Sequence, residues 1–184
     1  RVHPGPGQTQ EWAARAIRLS DNSAAEALWS SLGDSRAAGA ATEEAIRALG
    51  DHVTRVQWQR VRPPYTAFGQ TQWSLRDQAV AAAGLPCATD AAPVLALMGQ
   101  IDPAQAFGLG HVPGARFKGG WGPDVSGRYL VRQFGVLTVS SGTLGVALAA
   151  EPASGSFDSG TAALSLMAQE LAPRLDALPA GDCR

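Results

Sequence analysis

Two short stretches carry side chains that could act together. Ser20-Asp21-Asn22 offers a hydroxyl that can pass a proton, a carboxylate, and an amide that both donates and accepts hydrogen bonds. Lys118-Gly119-Gly120-Trp121-Gly122 offers a cation followed by backbone almost stripped of side chains. Lys118 is the only lysine among fifteen basic residues, so it is not one surface charge among many. A lone ammonium beside glycines suits a place where main chain approaches a ligand and negative charge must be stabilised. Each stretch also has a plain structural reading. Ser-Asp-Asn is a set of helix-capping residues, and the lysine stretch is a glycine-rich hairpin with a solvated cation.

The elements that must position these residues follow from periodicity. Arg1 to Gln8 is a Gly/Pro-rich leader; Trp12, Ala13, Ala16, Ile17 and Leu19 then recur at helical spacing from Thr9 to Leu19. Ser20 to Ser23 interrupts. A second helix carries Ala24, Ala25, Leu28, Trp29 and Leu32 on one face and stops at Gly33. Thr42-Glu43-Glu44 opens a third that ends at Gly50, its two acids suiting the positive end of the helix dipole. Asp51 to Gln72 has no steady period. An aperiodic stretch of that length inside a compact domain is either functional or disordered, and Trp58, Tyr65, Phe68 and Trp73 read as loop-packing residues rather than ligand stackers. Helix resumes near Ser74 and runs to Gly84; Asp90 to Gln100 is another, and Asp102-Pro103-Ala104 opens a short one.

After Gly114 the period changes, and long runs rich in Val, Leu, Tyr and Phe replace the helical spacing. Ala115–Gly120, Arg128–Val139 and Gly142–Ala150 read as strands, the last two joined across Ser140-Ser141-Gly142. Ser156 to Leu178 is the longest helix, with Leu164, Met167, Leu171 and Leu175 on one stripe. Helices, then strands, then a closing helix predict an α+β domain spanning residues 1–184, a helical lobe beside a small antiparallel sheet covered by the C-terminal helix.

Composition excludes several classes. A net charge of −1 provides no field for nucleic acid or an acidic membrane surface, and no apolar run is long enough for a membrane span. His3, His52 and His111 are scattered and show no metal-ligand spacing, and no cofactor motif is present. Gly108-Leu109-Gly110 lacks the preceding strand and following helix of a dinucleotide loop. Cys87 and Cys183 are either one disulfide or two free thiols. The chain opens on Arg1 rather than Met, which reads as a processed or truncated product, and its arginine, alanine and glycine content suits a GC-rich bacterial genome.

Ser20-Asp21-Asn22 and Lys118-Gly119-Gly120, in this order and about a hundred residues apart, resemble two of the three signatures of penicillin-recognising serine hydrolases, the class A β-lactamases and DD-peptidases. Leu49-Gly50-Asp51-His52-Val53-Thr54-Arg55 is similar to the entry into that family's Ω-shaped loop, and Gln72 to Asp77 to the helix after it; the resemblance runs from Trp12 to Leu175. It implies a β-lactamase-like fold. It also implies that Ser20 relays a proton to a leaving nitrogen and that Asn22 hydrogen-bonds the amide of a penicillin or peptide stem. Lys118 would sit near Ser20 and the substrate carboxylate, with Gly120 lining the same strand and the Trp121 N–H forming half of an oxyanion hole.

Three departures bear on activity. The family's nucleophile lies in Ser-x-x-Lys, yet Lys118 is the sole lysine and Ala115 stands three residues before it. Gly119 removes the hydroxyl of Lys-Thr-Gly. Thr54 to Gln72 contains neither Asp nor Glu, so the deacylating glutamate is missing and fast β-lactam hydrolysis is not expected. The sequence therefore suggests a non-catalytic, exported cell-envelope module that binds a peptidoglycan-like peptide or a protein partner. The alternative is the C-terminal part of a serine hydrolase whose nucleophile lies upstream of residue 1. The family's N-terminal strands and nucleophile helix are also missing, which leaves a sheet edge where a separate segment or a second copy could pair.

Overall fold

The structure, a computed structural model, describes residues 4–183; His3 and the first residues of the expected leader lie outside them. Within the described part of that leader, Pro6 to Gln8 are already helical. Helix α1 spans Pro6–Arg18, with Gly5 as N-cap and Pro6 at a first-turn position that needs no N–H partner. Helix α2 is Asn22–Ser31. Helix α3 is Ser35–Ala48, capped by Asp34, whose side chain accepts from Ala37 N–H at 2.9 Å. This corrects the expected start at Thr42. The Thr42 hydroxyl donates to the Ala38 carbonyl inside the helix, so it does not break it.

Residues 49–73 are irregular, as the missing period predicts. Helix α4, Leu75–Gly84, starts at Ser74, which accepts from Asp77 N–H. Helix α5, Ala92–Met98, is shorter than the expected Asp90–Gln100. Single 3-10 turns follow at Pro103–Gln105 and Gly108–His111, the latter containing His111 as an exposed loop residue.

Three strands, β1 (Arg116–Pro123), β2 (Tyr129–Val139) and β3 (Gly142–Ala150), form an antiparallel sheet in that order. Lys118 pairs with Phe134, Gly120 with Arg132, Trp121 with Val131 and Leu137 with Leu144. Alternation sorts β2 between two faces. Phe134 and Val136 pack with Leu85, Leu95 and Met98 of the helical lobe. Val131 and Leu137 pack against helix α6, Phe157–Leu171. The sheet is thus sandwiched, with the lobe on one face and α6 on the other.

The buried stripe of α6 is Gly160, Leu164 and Ala168. Met167, expected on it, is 41% exposed, because a repeat of four carries the stripe to Ala168. Gly160 has a contact reason: a Cβ there would stand 2.5 Å from the Val131 side chain. Beyond α6 a 3-10 turn, Ala172–Ala177, leads the tail back, where Gly181 bridges to Thr143 on the outer edge of β3. Cys183 is disulfide-bonded to Cys87, with Cα atoms 5.1 Å apart. The edge expected to be bare is therefore met at one point by the chain's own C-terminus.

Candidate functional site

The site begins at the corner between α1 and α2. Ser20 has φ of +52°, the only non-glycine residue in the left-handed region among those described. That conformation is unfavourable for a residue with a Cβ and is found where surrounding structure enforces it, often at functional sites. Several interactions hold the corner. Asp21 N–H reaches the Arg15 carbonyl at 3.3 Å, Asp21 Oδ1 caps α2 by accepting from Ala24 N–H at 3.0 Å, and Asp21 Oδ2 pairs with the Arg15 guanidinium at 2.5 Å. The Ala24 N–H, then the Arg15 side chain, hold the Asp21 carboxyl below the usual range. The capping reading of Ser-Asp-Asn is correct for Asp21, and it leaves Ser20 and Asn22 available. Asn22 is exposed at the first turn of α2, with no side-chain hydrogen bond to another described residue.

Lys118 comes from the other side. It lies on β1 in register with Phe134, on the sheet face that meets the helical lobe. Its Nζ donates to Ser20 Oγ at 2.5 Å and to the Gly119 carbonyl at 2.6 Å, and it stands 5.8 Å from the Trp121 ring centroid. The two stretches singled out in the sequence therefore meet side chain to side chain across 98 residues. Lys118 takes part in no ion pair among the described residues, and burial pushes its pKa down to about 8.

Two further residues join them. Gln105, in the turn Pro103–Gln105, accepts from Ser20 Oγ at 2.6 Å through Oε1 and donates to the Leu19 carbonyl at 2.9 Å through Nε2. Arg132, opposite Gly120 on β2, is partly buried, without a side-chain hydrogen bond or ion pair among the described residues, and burial pushes its pKa down. Arg132 had a sequence signal, a charge inside an otherwise apolar strand. Gln105 had none, because a turn glutamine is usually solvated.

Lys118 and Arg132 place two cations on one sheet face with no acid partner among the described residues, which is an arrangement for an anion. Trp121 is 38% exposed and packs against Phe107 and Phe157 on the opposite face. β1 is an edge strand, so alternate amides along it have no partner within the sheet. No group of three or more metal-ligating side chains occurs among the described residues.

The loop 49–73 is pinned at its base through Asp51, and its Arg62 donates to the Pro123 carbonyl at the end of β1. Asp51 is buried and accepts from Val53 N–H, Thr54 N–H and Trp73 Nε1–H. Glu43, expected to serve the start of α3, sits in its third turn. It holds Arg47, Arg55 and the Val56 N–H, which joins the helix to the loop. Among the other aromatics, Trp73 meets Phe134 in a tilted contact with ring centroids 5.3 Å apart, while Trp58 and Tyr65 are partly exposed beneath Arg36 and Arg62.

No protein-family model matches the chain, and no curated protein matches it in sequence. Solved structures do match. PenP of Rhodopseudomonas palustris, of the class A β-lactamase type, is similar over 88% of this chain and 65% of its own, at 21% identity and TM-score 0.60. The chromosome-encoded β-lactamase of Vibrio parahaemolyticus is similar over 92% and 66%, at 12% identity and TM-score 0.64. An ancestral class A β-lactamase is similar over 97% and 75%, at 17% identity and TM-score 0.60. The chain has a β-lactamase-like fold and spans about two thirds of the length of the first two of these proteins.

Proposed function

We propose that this chain forms a β-lactamase-like cleft that binds a carboxylate-bearing, peptide-like ligand of the cell envelope without covalent chemistry of its own. The observation that carries this reading is the contact of Lys118 Nζ with Ser20 Oγ beside an unpaired Arg132. An ammonium and a guanidinium with no carboxylate to neutralise them favour a ligand that brings one. Asn22 supplies an amide for a peptide bond, and Gly120 and Trp121 a strand edge along which an extended ligand can lie. The sequence contains no Ser-x-x-Lys pair, and loop residues 54–72 hold no carboxylate to activate water. The disulfide supports an oxidising compartment.

The test is titration with a peptide ending in D-alanyl-D-alanine, alongside Lys118→Met and Arg132→Met. Saturable binding that both substitutions weaken at least about tenfold is expected. Equal binding by all three proteins would show that the anion does not sit there.

A second reading has its own support. A Ser–Lys contact with the lysine near pKa 8 is suited to proton transfer at neutral pH, which a serine hydrolase with a nucleophile supplied by residues outside this sequence would use. Penicillin labelling of the parent protein separates the two. A covalent adduct seen by mass spectrometry supports the hydrolase, and peptide binding without an adduct supports the binding module.

A further inference from the structure

We propose that Gln105 is the positioning residue of this site: it fixes the direction of the Ser20 hydroxyl so that Lys118 acts toward Ser20 only as a donor. The inference rests on the reading of Ser20 and Lys118 as walls of the cleft and adds what sets their protonation.

The geometry permits one consistent arrangement of protons. The Leu19 carbonyl can only accept, so the Gln105 amide nitrogen must face it at 2.9 Å, and Oε1 is thereby turned to Ser20 at 2.6 Å. Oε1 can only accept, so the single hydroxyl hydrogen of Ser20 is spent on Gln105. The 2.5 Å contact with Lys118 must then be filled by an N–H of Lys118, a bond that is stronger from the ammonium than from a neutral amine. A second ammonium hydrogen goes to the Gly119 carbonyl, and the third is left for a ligand.

Leu19 and Ser20 are consecutive, so Gln105 grips both sides of the strained corner, and the left-handed Ser20 is part of what brings Oγ between the two partners. Remove the acceptor at 105 and the hydroxyl can rotate, donate to a neutral amine, and form the opposite pair. Gln105 thus selects the charged, anion-binding state over a serine–lysine dyad. The other charged groups nearby are Arg132, on the same sheet face, and the Asp21–Arg15 pair at the corner. Neither depends on Gln105.

Lys118 is the only lysine, so labelling with 13C-lysine reports its ionisation as a single resonance in the intact protein, with no ligand required. Gln105→Met keeps length and removes the acceptor; it is expected to lower the proton affinity of Lys118 by about tenfold, the worth of one hydrogen bond to a charged group. In a Ser20→Ala background the same substitution is expected to change it by less than about threefold, because the effect passes through the hydroxyl.

An unchanged titration in Gln105→Met, or an equal shift with and without Ser20, overturns the proposal, since a merely structural glutamine would give one or the other. If Gln105→Met does not fold, Gln105→Glu decides. With Ser20 present it is expected to raise the proton affinity by more than in the Ser20→Ala background, and an equal rise in both overturns the proposal. The binding reading fails separately: in that case the titrations behave as stated, yet the D-alanyl-D-alanine peptide leaves the Lys118 resonance unmoved.

Discussion

Trp73 Nε1–H donates to Asp51 Oδ2 at 2.8 Å and so closes the two ends of an irregular loop with one part-buried bond. Asp51 also takes the Val53 and Thr54 N–H groups on its other oxygen. A carboxylate is the one side chain that can accept at all these positions at once. Burial raises its pKa, yet the donors from Thr54, Val53 and Trp73 outweigh that and hold it at about 2.

The first prediction follows from that balance. The folded pKa lies below the ordinary 3.8, so the contribution of Asp51 is fully present above pH 4 and is lost as pH falls toward 2. Asp51→Ala leaves buried donors without a partner and is expected to cost about 3 kcal/mol at pH 7 in urea denaturation. The gap from wild type should narrow by about 2 kcal/mol by pH 2. An equal cost at both pH values would mean that the carboxylate contributes through shape alone.

Much of this was legible in the sequence, for reasons that differ by residue. The strands could be read because strands buried on both faces give long apolar runs rich in Val, Leu and Phe. Ser20 and Lys118 stood out because a motif and a singular residue type marked them. The start of α3 was hidden, since Asp34 caps it from a run of small residues and Thr42 sits mid-helix without harm. Met167 was misplaced because the stripe on α6 advances by four rather than three. Gln105 could not be found at all: its role depends on the Leu19 carbonyl and Ser20 hydroxyl arriving from 85 residues away, and no local pattern encodes that meeting.

Lys118 should destabilise the fold that it serves. Its pKa is about 8 when folded against 10.5 ordinarily, so between those values the unfolded chain binds more protons and stability rises with pH. Below pH 8 the penalty is fully present. Lys118→Met is therefore expected to raise stability by about 2 kcal/mol at pH 7, allowing for partial exposure, and to show no advantage near pH 10.5. Binding of an anionic peptide by wild type should weaken above pH 8 as the ammonium is lost. Chemical denaturation and calorimetric titration over pH 6 to 10.5 check both arms.

The disulfide should matter to stability and not to the site. Cys87 and Cys183 close a loop of 96 residues, and in the chain-entropy account removing such a link costs about 4.7 kcal/mol. It ties the tail to Cys87 just after α4, and Gly181 meets the outer side of β3, whereas Lys118 lies on β1 at the other edge of the sheet. Cys183→Ser is expected to lower Tm by 10 °C or so with the Lys118 titration unmoved. A changed titration would show that the tail restrains the cleft as well.

Gly119 is where the chain departs from Lys-Thr-Gly, and restoring the hydroxyl tests what the cleft holds. A Cβ at 119 would stand 3.5 Å from the Trp121 ring and 3.8 Å from Phe107, which is ordinary contact, and its backbone is not in the left-handed region. Nothing steric therefore forbids Gly119→Thr. In a strand, threonine for glycine is worth up to about 1 kcal/mol in its favour, so stability should hold or rise. A side chain at 119 points to the Trp121 and Phe107 face, opposite Lys118 and Arg132. If the ligand carboxylate lies between those two cations, Kd for a D-alanyl-D-alanine peptide should therefore change by less than about threefold. A several-fold change in Kd at unchanged stability would place the carboxylate off that face, at the strand edge beside residue 119.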